Sequence, residues 1–545
     1  MKSVKLEKIC YNSNKKQILS DISIKATPQN ILCILGPSGA GKSCLMDIIV
    51  RKRKATSGSV VLDKNDRIAY VNQDIILNPY QTVHESINLY NRLMNKIPID
   101  DTIIHHFITE FGLWEKRNML IGSTGIKRLS GGEKKRVSIL CGLAMNPDIL
   151  LLDEPTSGLD SKSAWKIINF IKNYIEQKNI ICVCSIHQPQ KEIWDLINDV
   201  LVLEEGKQLY FGPSIDVKSD LCPRASDLES VEIENQDLLN FTDIALVSQD
   251  ITPAISDVTT KQEPSTCKKI YILINRSLLL YSRNRLLLCL KFFLIMCIGV
   301  FETVLLGSAS YILNLLITKD NIINYLRFVA FVIVKSFNVS ILPISSISLF
   351  FENKEIQENE LQNKLYNHRI YFGVTMFVET IIQIITSTIY ALITWLPRNK
   401  FCLDYFGLYI LVILTQTFIA NSLVQCTAAI INNRDLSLIV ISGYLSLSFL
   451  LLIGGNINYH NEFFGILQFF SVLKYPTSIL LLGLYNLTNK NNNLAFIINA
   501  MNIDDNIVFK LGITGHFLIM ISFYLLLNTI TYAIISRKFN FLKNK

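Results

Sequence analysis

The sequence predicts two domains of different class: a soluble α/β domain, then an all-α transmembrane domain of six helices. Three observations carry this. Residues 1–270 form an ordinary charged globular sequence, whereas residues 286–536 hold apolar runs long enough to cross a bilayer. A short apolar run of buried-strand type, Ile31–Leu35, leads at once into the glycine-rich GPSGAGKS and then into a helix-forming stretch. Two more such runs, ILLLDEP (149–155) and ICVCSIHQP (181–189), end in ionisable side chains.

The 545 residues suffice for about three to four ordinary domains. The formal charge is +8, and Arg51-Lys52-Arg53-Lys54 is its local basic run. Such a run at a helix end is the ordinary complement of the helix dipole, so no nucleic-acid partner is expected. The 12 cysteines form no CxxC pair and are expected as buried thiols, not as metal ligands or a disulfide framework. The opening MKSVKLEKICYNSNKKQ has no apolar core and is not expected to be a cleaved signal peptide; the first half then stays on the side of synthesis.

GPSGAGKS comprises Gly36, Pro37, Ser38, Gly39, Ala40, Gly41, Lys42 and Ser43, and its strand–loop–helix context is that of a P-loop. The glycines let backbone N–H groups close around phosphate oxygens, and the following helix adds positive potential. Lys42 is expected to reach the β- and γ-phosphates of ATP, and Ser43 to ligate Mg²⁺. Alternation along the strand sends Asp153 and Glu154 to different faces. Asp153 fits the Mg²⁺ role, and Glu154 the general base that polarises the attacking water. His187, closing the third strand, is expected at the γ-phosphate; Gln73, in YVNQD, is expected to complete the metal shell and sense that phosphate. LSGGEKKRVSI (129–139) opens a second phosphate-binding type of helix, with Ser130, Gly131 and Gly132 at its start.

These motifs, with the D-loop Ser157–Asp160, follow one another as Walker A, Q-loop, signature, Walker B, D-loop and H-loop, and the first half resembles an ATP-binding-cassette (ABC) nucleotide domain. The resemblance implies an α/β P-loop ABC nucleotide-binding domain followed by an all-α six-helix transmembrane domain. It also places Cys44 and Asp160 among the nucleotide-contacting positions and makes Tyr11 the candidate aromatic beside adenine. The closer similarity is to the G subfamily, the White-type half-transporters, in which the cassette precedes the membrane domain. Pro79, Thr82-Val83, Glu85, the SIHQP of the H-loop and Tyr210-Phe211-Gly212-Pro213 match that pattern. Cys44 stands where threonine is common, and the segment after Cys222-Pro223 is shortened and lacks the usual Asn-Pro.

Six spans are expected, at 286–307, 325–350, 370–396, 403–431, 434–454 and 511–536. Arg276, Arg283 and Arg285 before the first and Arg537, Lys538, Lys543 and Lys545 after the last put both termini inside; Arg398 and Lys400 count mildly against this. The polar loop between the second and third spans carries Glu360, Tyr366, Tyr371 and Phe372, which by resemblance implies a coupling helix resting on the cassette. Lys291, Glu302, Lys335 and Glu379 fall inside spans, at a cost of about 2.5–3.5 kcal/mol each at mid-helix. Lys291 is expected to snorkel to the inner face, Glu302 to lie near the outer one, and Lys335 and Glu379 to form a structural or coupling ion pair. A long outer loop, 455–510, has no cysteine and carries the acceptor sequon Asn486-Leu487-Thr488.

The expected organisation is a nucleotide-binding domain at 1–215, a cytosolic linker at 216–270 and the membrane domain at 271–545. The resemblance implies ATP-driven transport of a lipid, sterol or other hydrophobic or amphipathic molecule, with Phe328, Phe331, Phe337, Asn338, Leu445 and Phe449 at a dimer cavity. One cassette and six spans are half of such a transporter. A second half-transporter chain is therefore the expected partner, in a homodimer or heterodimer, with the signature helix of each chain closing on ATP held by the other. The alternative is a membrane-bound ATP-binding regulator or receptor without coupled transport.

Overall fold

A computed structural model of the protein describes residues 3–13, 16–63, 66–122, 129–187, 189–217, 262–306, 322–395, 403–454, 471–487 and 512–544. The chain divides into two compact units. The cassette unit comprises Met1–Asn275, Glu355–Ile370 and Phe539–Lys545; the membrane unit comprises Arg276–Lys354 and Tyr371–Lys538. Most of the expected linker lies outside the described residues, as do Arg398, Lys400 and Thr488.

Among the described residues, the cassette unit is built on nine strands, β1 (Val4–Ser13), β2 (Lys16–Ala26), β3 (Ile31–Leu35), β4 (Ser57–Val61), β5 (Ile68–Val71), β6 (Ile149–Asp153), β7 (Ile181–Ser185), β8 (Asp199–Glu204) and β9 (Lys207–Pro213). Their order is β4-β1-β2-β9-β8-β3-β7-β6-β5. Strands β5, β6, β7, β3 and β8 run parallel, and β3, β6 and β7 are buried along their whole length. Uninterrupted apolar runs suit strands covered on both faces. By contrast β2 alternates buried and exposed residues, and it pairs antiparallel with β1.

Helices α1 (Lys42–Ile49), α2 (Val83–Met94), α3 (Asp101–Glu110), α4 (Gly131–Ala144), α5 (Ser161–Lys178) and α6 (Lys191–Trp194) complete it. One core cluster joins Leu45, Met46, Ile48 and Ile49 of α1 to Leu32, Ile34, Ile149, Leu151, Ile181 and Val183, alternate residues on one sheet face. On the other face α4 comes so close that a Cβ on Gly142 would meet Val71 Cγ2 at 3.1 Å. Helices α2 and α4 each begin in a capping box, Thr82 with Glu85 and Ser130 with Glu133.

The remaining α-helices among the described residues are α7 (Thr266–Arg283), α8 (Arg285–Leu306), α9 (Ile322–Ile341), α10 (Ser346–Gln362), α11 (His368–Trp395), α12 (Leu403–Ile430), α13 (Arg434–Gly454), α14 (Lys474–Leu487) and α15 (Gly512–Asn544). Five segments among the described residues, Leu326–Ser348, His368–Trp395, Tyr405–Ile430, Arg434–Leu452 and Gly512–Arg537, are long and apolar enough to cross a membrane. A sixth arises if Thr266–Arg283 and Leu288–Val304, bent by 67° at their junction, are taken together.

The membrane unit corrects the sequence reading at several points. Residues 471–487, expected in an outer loop, contain α14, whose Ile479, Leu480, Leu481 and Leu484 join the main core cluster. Thr477 donates to Ser336 at 3.1 Å and Tyr405 to the Leu480 carbonyl at 2.7 Å. Lys335 and Glu379 are not partners. Lys335 donates to Thr394 at 2.5 Å beneath the rings of Tyr409, Tyr390 and Phe331, at 4.3, 4.8 and 5.1 Å, and the carboxylate acting on it is Glu302. Glu302 is buried and accepts from Tyr390 at 2.7 Å and from Asn338. Glu379 instead accepts from Tyr281 and, at 3.3 Å, from Ser346, to which Lys291 also donates at 3.4 Å. Lys291 is therefore buried in a polar cluster within the membrane unit. Each costly group is held by hydroxyls and rings from neighbouring helices, a compensation that position along a single helix does not reveal.

Candidate functional site

The site forms where β3, β6 and β7 end side by side. After β3 the chain enters Gly36 at φ 152 and closes through Gly39 and Gly41 at φ 83 and 99. A Cβ on Gly36 would meet the Leu203 carbonyl oxygen at 2.3 Å, and one on Gly41 would meet Leu19 Cδ2 at 2.7 Å. The backbone contact fixes glycine at Gly36, and the left-handed φ favours it at Gly41. Helix α1 then starts with no side-chain cap, leaving its first N–H groups to serve an anion. Lys42 is buried, and its Nζ donates to the Gly36 and Pro37 carbonyls at 2.7 and 3.0 Å across the loop. Burial lowers its pKa, against the raising effect of Glu154 and Asp153, so those carboxylates share its field.

At the end of β6, Asp153 is buried and its Oδ1 accepts from the Ser185 hydroxyl at 2.6 Å. Glu154 leaves the strand at φ 48, a left-handed conformation that costs a non-glycine residue of order 1 kcal/mol or more. Its N–H donates to the same Ser185 hydroxyl at 2.9 Å. Its carboxylate is then gripped from both sides: Gln73 Nε2 donates to Oε2 at 3.0 Å, and His187 Nε2 lies 3.1 Å from Oε1. Three residues from separate segments thus meet at one carboxylate.

The structure also shows which predicted groups stand apart. Ser130 caps α4, accepting from the Glu133 N–H at 3.3 Å and donating its own N–H to Glu133 at 2.9 Å. Lys116 anchors Glu133 at 2.5 Å. Ser130 and Gly131 are exposed, and among the described hydrogen bonds none joins this helix start to Lys42 or Glu154. A Cβ on Gly132 would meet Leu159 Cδ2 at 2.8 Å, so the D-loop passes against it. Asp160 caps α5, accepting the Ser163 N–H at 3.0 Å, and that bonding holds its carboxyl below the ordinary range. Ser38, Gly39 and Ser43 are exposed on the P-loop side. Cys44 follows Ser43 in the first turn of α1 with its thiol buried in the core cluster, where burial pushes its pKa up to about 11, so that only its backbone N–H is left to face a phosphate. Tyr11 is partly covered, with the Arg53 guanidinium 5.9 Å from its ring centre.

Two residues escaped the sequence reading. Ser185 is one, though it lies opposite Asp153 in the β6–β7 register and could have been found from that pairing. Lys135 is the other. Its Nζ is buried and donates to the carbonyls of Asn72, Gln73 and Asp153 at 3.0, 3.2 and 2.9 Å. Within GGEKKRVSI it resembles an exposed helix charge, because its spacing gives no sign of the strand ends it meets. Tyr70, whose hydroxyl faces Asp153 at 3.5 Å, adds a third neighbour.

The donor set suits magnesium. Among the described residues no group of three or more His, Cys, Asp or Glu could hold a metal ion by itself. Mg²⁺ takes one or two carboxylates with substrate phosphates and retained water, which Asp153 and Ser43 can join. Gln73 spends its amide nitrogen on Glu154 and has only its oxygen to offer a cation.

Comparison with known proteins defines the class. The ABC transporter family profile matches residues 19–157, and the ABC-2 type transporter membrane profile matches residues 268–485. ABC transporter G family member 22 of Dictyostelium discoideum is 30% identical over 71% of this chain and 69% of its own length. G family member 4 of Arabidopsis thaliana is 29% identical over 86% of this chain and 83% of its own. G family member 7 of Dictyostelium discoideum is 29% identical over 69% of this chain, which spans only 50% of that relative. The protein is thus a cassette joined to an ABC-2 type, multi-pass membrane domain. It belongs to the ABC transporter G family.

Proposed function

We propose that the chain hydrolyses ATP to drive transport of a hydrophobic or amphipathic molecule, working as one half of a dimer. The observation that carries this is the grip of Gln73 and His187 on Glu154, 3.0 and 3.1 Å from opposite carboxylate oxygens. A receptor that only bound ATP would have no need of a positioned base.

In this reading the P-loop N–H groups and Lys42 take the phosphates, Lys42 exchanging its two carbonyl acceptors for phosphate oxygens. Ser43 and Asp153 would hold Mg²⁺, which would supply charge neutralisation at the phosphates. Glu154 accepts a proton from the attacking water, while His187 and Gln73 fix its carboxylate and face the γ-phosphate. Among the described residues, the exposed start of α4 has no such partner in its own chain. Its N–H groups and the Ser130 hydroxyl then serve ATP bound to a second chain, giving two composite sites per dimer. The cassette and both termini are assigned to the cytosolic side.

The cargo surface needs revision. Phe328, Phe331 and Leu445 are buried within the protomer and Asn338 is bonded to Glu302, so they are poor candidates for a dimer cavity. Phe337 and Phe449, whose rings are 4.9 Å apart, remain partly exposed candidates. Reconstituted vesicles test the reading: an amphipathic cargo should cross with ATP and not with a non-hydrolysable analogue. Chains carrying Lys42→Ala, mixed with chains carrying Ser130→Arg, should recover part of the ATPase activity absent from either alone. ATP binding with no cargo movement, and no recovery on mixing, would favour the receptor reading.

A further inference from the structure

We propose that a basic cavity in the cassette unit, distinct from the ATP site, binds a phosphate-bearing anion, supplied as an acidic lipid headgroup or as a soluble phosphate compound. The cavity encloses about 590 Å³, and all its lining residues belong to that unit. Arg51, Lys52, Lys269 and Lys364 line it against a single carboxylate, Glu263, with His368 beside them. That volume exceeds what one small inorganic ion needs and falls within the range of ordinary small-molecule sites.

The charge excess survives its local offsets. Glu263 pairs with Lys269 at 2.8 Å. Lys52 lies 3.5 Å from Asp47, but Asp47 already holds Arg53 at 2.8 Å. Helices α1 and α10 end at the cavity wall, and each C-terminus adds about half a negative charge. Lys364 has a further interaction of its own; Arg51, Lys52 and Lys269 without it exceed Glu263 by two charges, of which the two half-charges remove about one and leave the rest to focus on an anion. Lys269, moreover, is buried, so it is not a solvated surface lysine.

The backbone adds a second observation. Arg51 and Lys364 follow the ends of α1 and α10 at φ 63 and 54, the left-handed conformation that favours glycine or asparagine. Long cationic side chains stand there against local preference, and both line the same cavity. Two of the lining segments, Thr266–Lys269 and Asn367–Ile370, are also those from which the chain continues along α7 and α11. Arg51 follows α1 directly, so an anion here would sit at the end of the Walker A helix opposite the P-loop, about 12 Å along its axis.

The full chain in nanodiscs tests this, in a Lys42→Ala background so that the ATP site cannot take the probe. Three probes are used: phosphatidylinositol bisphosphate in a phosphatidylcholine disc, read by native mass spectrometry, and inositol trisphosphate and inorganic phosphate in solution, read by thermal shift. Retention of the lipid, with competition by inositol trisphosphate, supports a membrane source; binding of the soluble probes alone supports a soluble one. Arg51→Glu with Lys364→Glu, both exposed, should weaken binding at least about tenfold. The proposal is overturned if no probe binds, or if this variant binds as the parent does. ATP binding by chains with Lys42 intact is measured in parallel, so failure here stays distinct from failure of the transport reading.

Discussion

Lys135 Nζ donates to the main-chain carbonyl of Asp153 at 2.9 Å, and the same ammonium holds the carbonyls of Asn72 and Gln73. One side chain of the signature helix thereby ties the Q-loop to the end of Walker B. Replacing it with methionine keeps the apolar stem but leaves three carbonyls without their donor, at a cost of about 1–3 kcal/mol for each that stays dry. Lys135→Met is expected to lower ATP turnover roughly tenfold with little change in ATP affinity, because the phosphate-binding loop is untouched. A separate measurement of nucleotide binding and single-turnover hydrolysis checks it; equal losses in both would mean a merely structural role.

Ser185 should matter to a similar degree. Its hydroxyl joins the Asp153 carboxylate to the Glu154 N–H, and the second of these bonds secures the left-handed backbone at Glu154. Ser185→Ala is expected to destabilise the chain by about 1–3 kcal/mol and slow hydrolysis while ATP binding persists. Denaturation and turnover measured side by side would show it.

Glu154→Gln should bind ATP and fail to turn it over, accumulating a nucleotide-bound dimer. Size-exclusion chromatography with multi-angle scattering, with and without ATP, reads the outcome. A Glu154→Gln chain that hydrolyses ATP at the parent rate would remove this carboxylate from the base role.

In the membrane unit, a double-mutant cycle between Lys335→Met and Glu302→Gln is expected to show coupling of about 0.5–3 kcal/mol in thermal stability. The same cycle between Lys335→Met and Glu379→Gln should be additive within about 0.5 kcal/mol. Coupling in the second cycle and none in the first would reverse the assignment of Lys335 to Glu302.

Asn363 mimics a strand at the open edge of β5, accepting the Tyr70 N–H at 2.8 Å and donating to the Tyr70 carbonyl at 3.4 Å. Asn359 adds a bond to Asn72 at 3.0 Å, one residue before Gln73. This seats residues 355–370 in the cassette unit, as the inner-loop pattern implied. Asn363→Ala is expected to reduce cargo-stimulated ATPase several-fold more than basal ATPase. Paired assays in the same discs decide it.

Local pattern settled a good part of this molecule. The P-loop was legible because a tight turn between a strand and a helix needs positive φ within a few residues, and Gly36, Gly39 and Gly41 supply it at 152, 83 and 99. The spans were legible because a bilayer demands about twenty apolar residues in one run, and five of the six expected segments coincide with described segments long and apolar enough to cross, one of them running from α9 into α10. The partners of buried charge were not. Lys335 and Glu379 looked alike along the chain, yet the packing of α8, α9, α11 and α12 gave Lys335 to Thr394, Tyr409 and Glu302. Lys135 likewise shows only as a charge in a basic helix until α4 is laid across the strand ends. Sequence fixes a residue's chemistry and its neighbours one turn away, but which faces meet depends on how whole helices and sheets pack, and only the tertiary structure decides that.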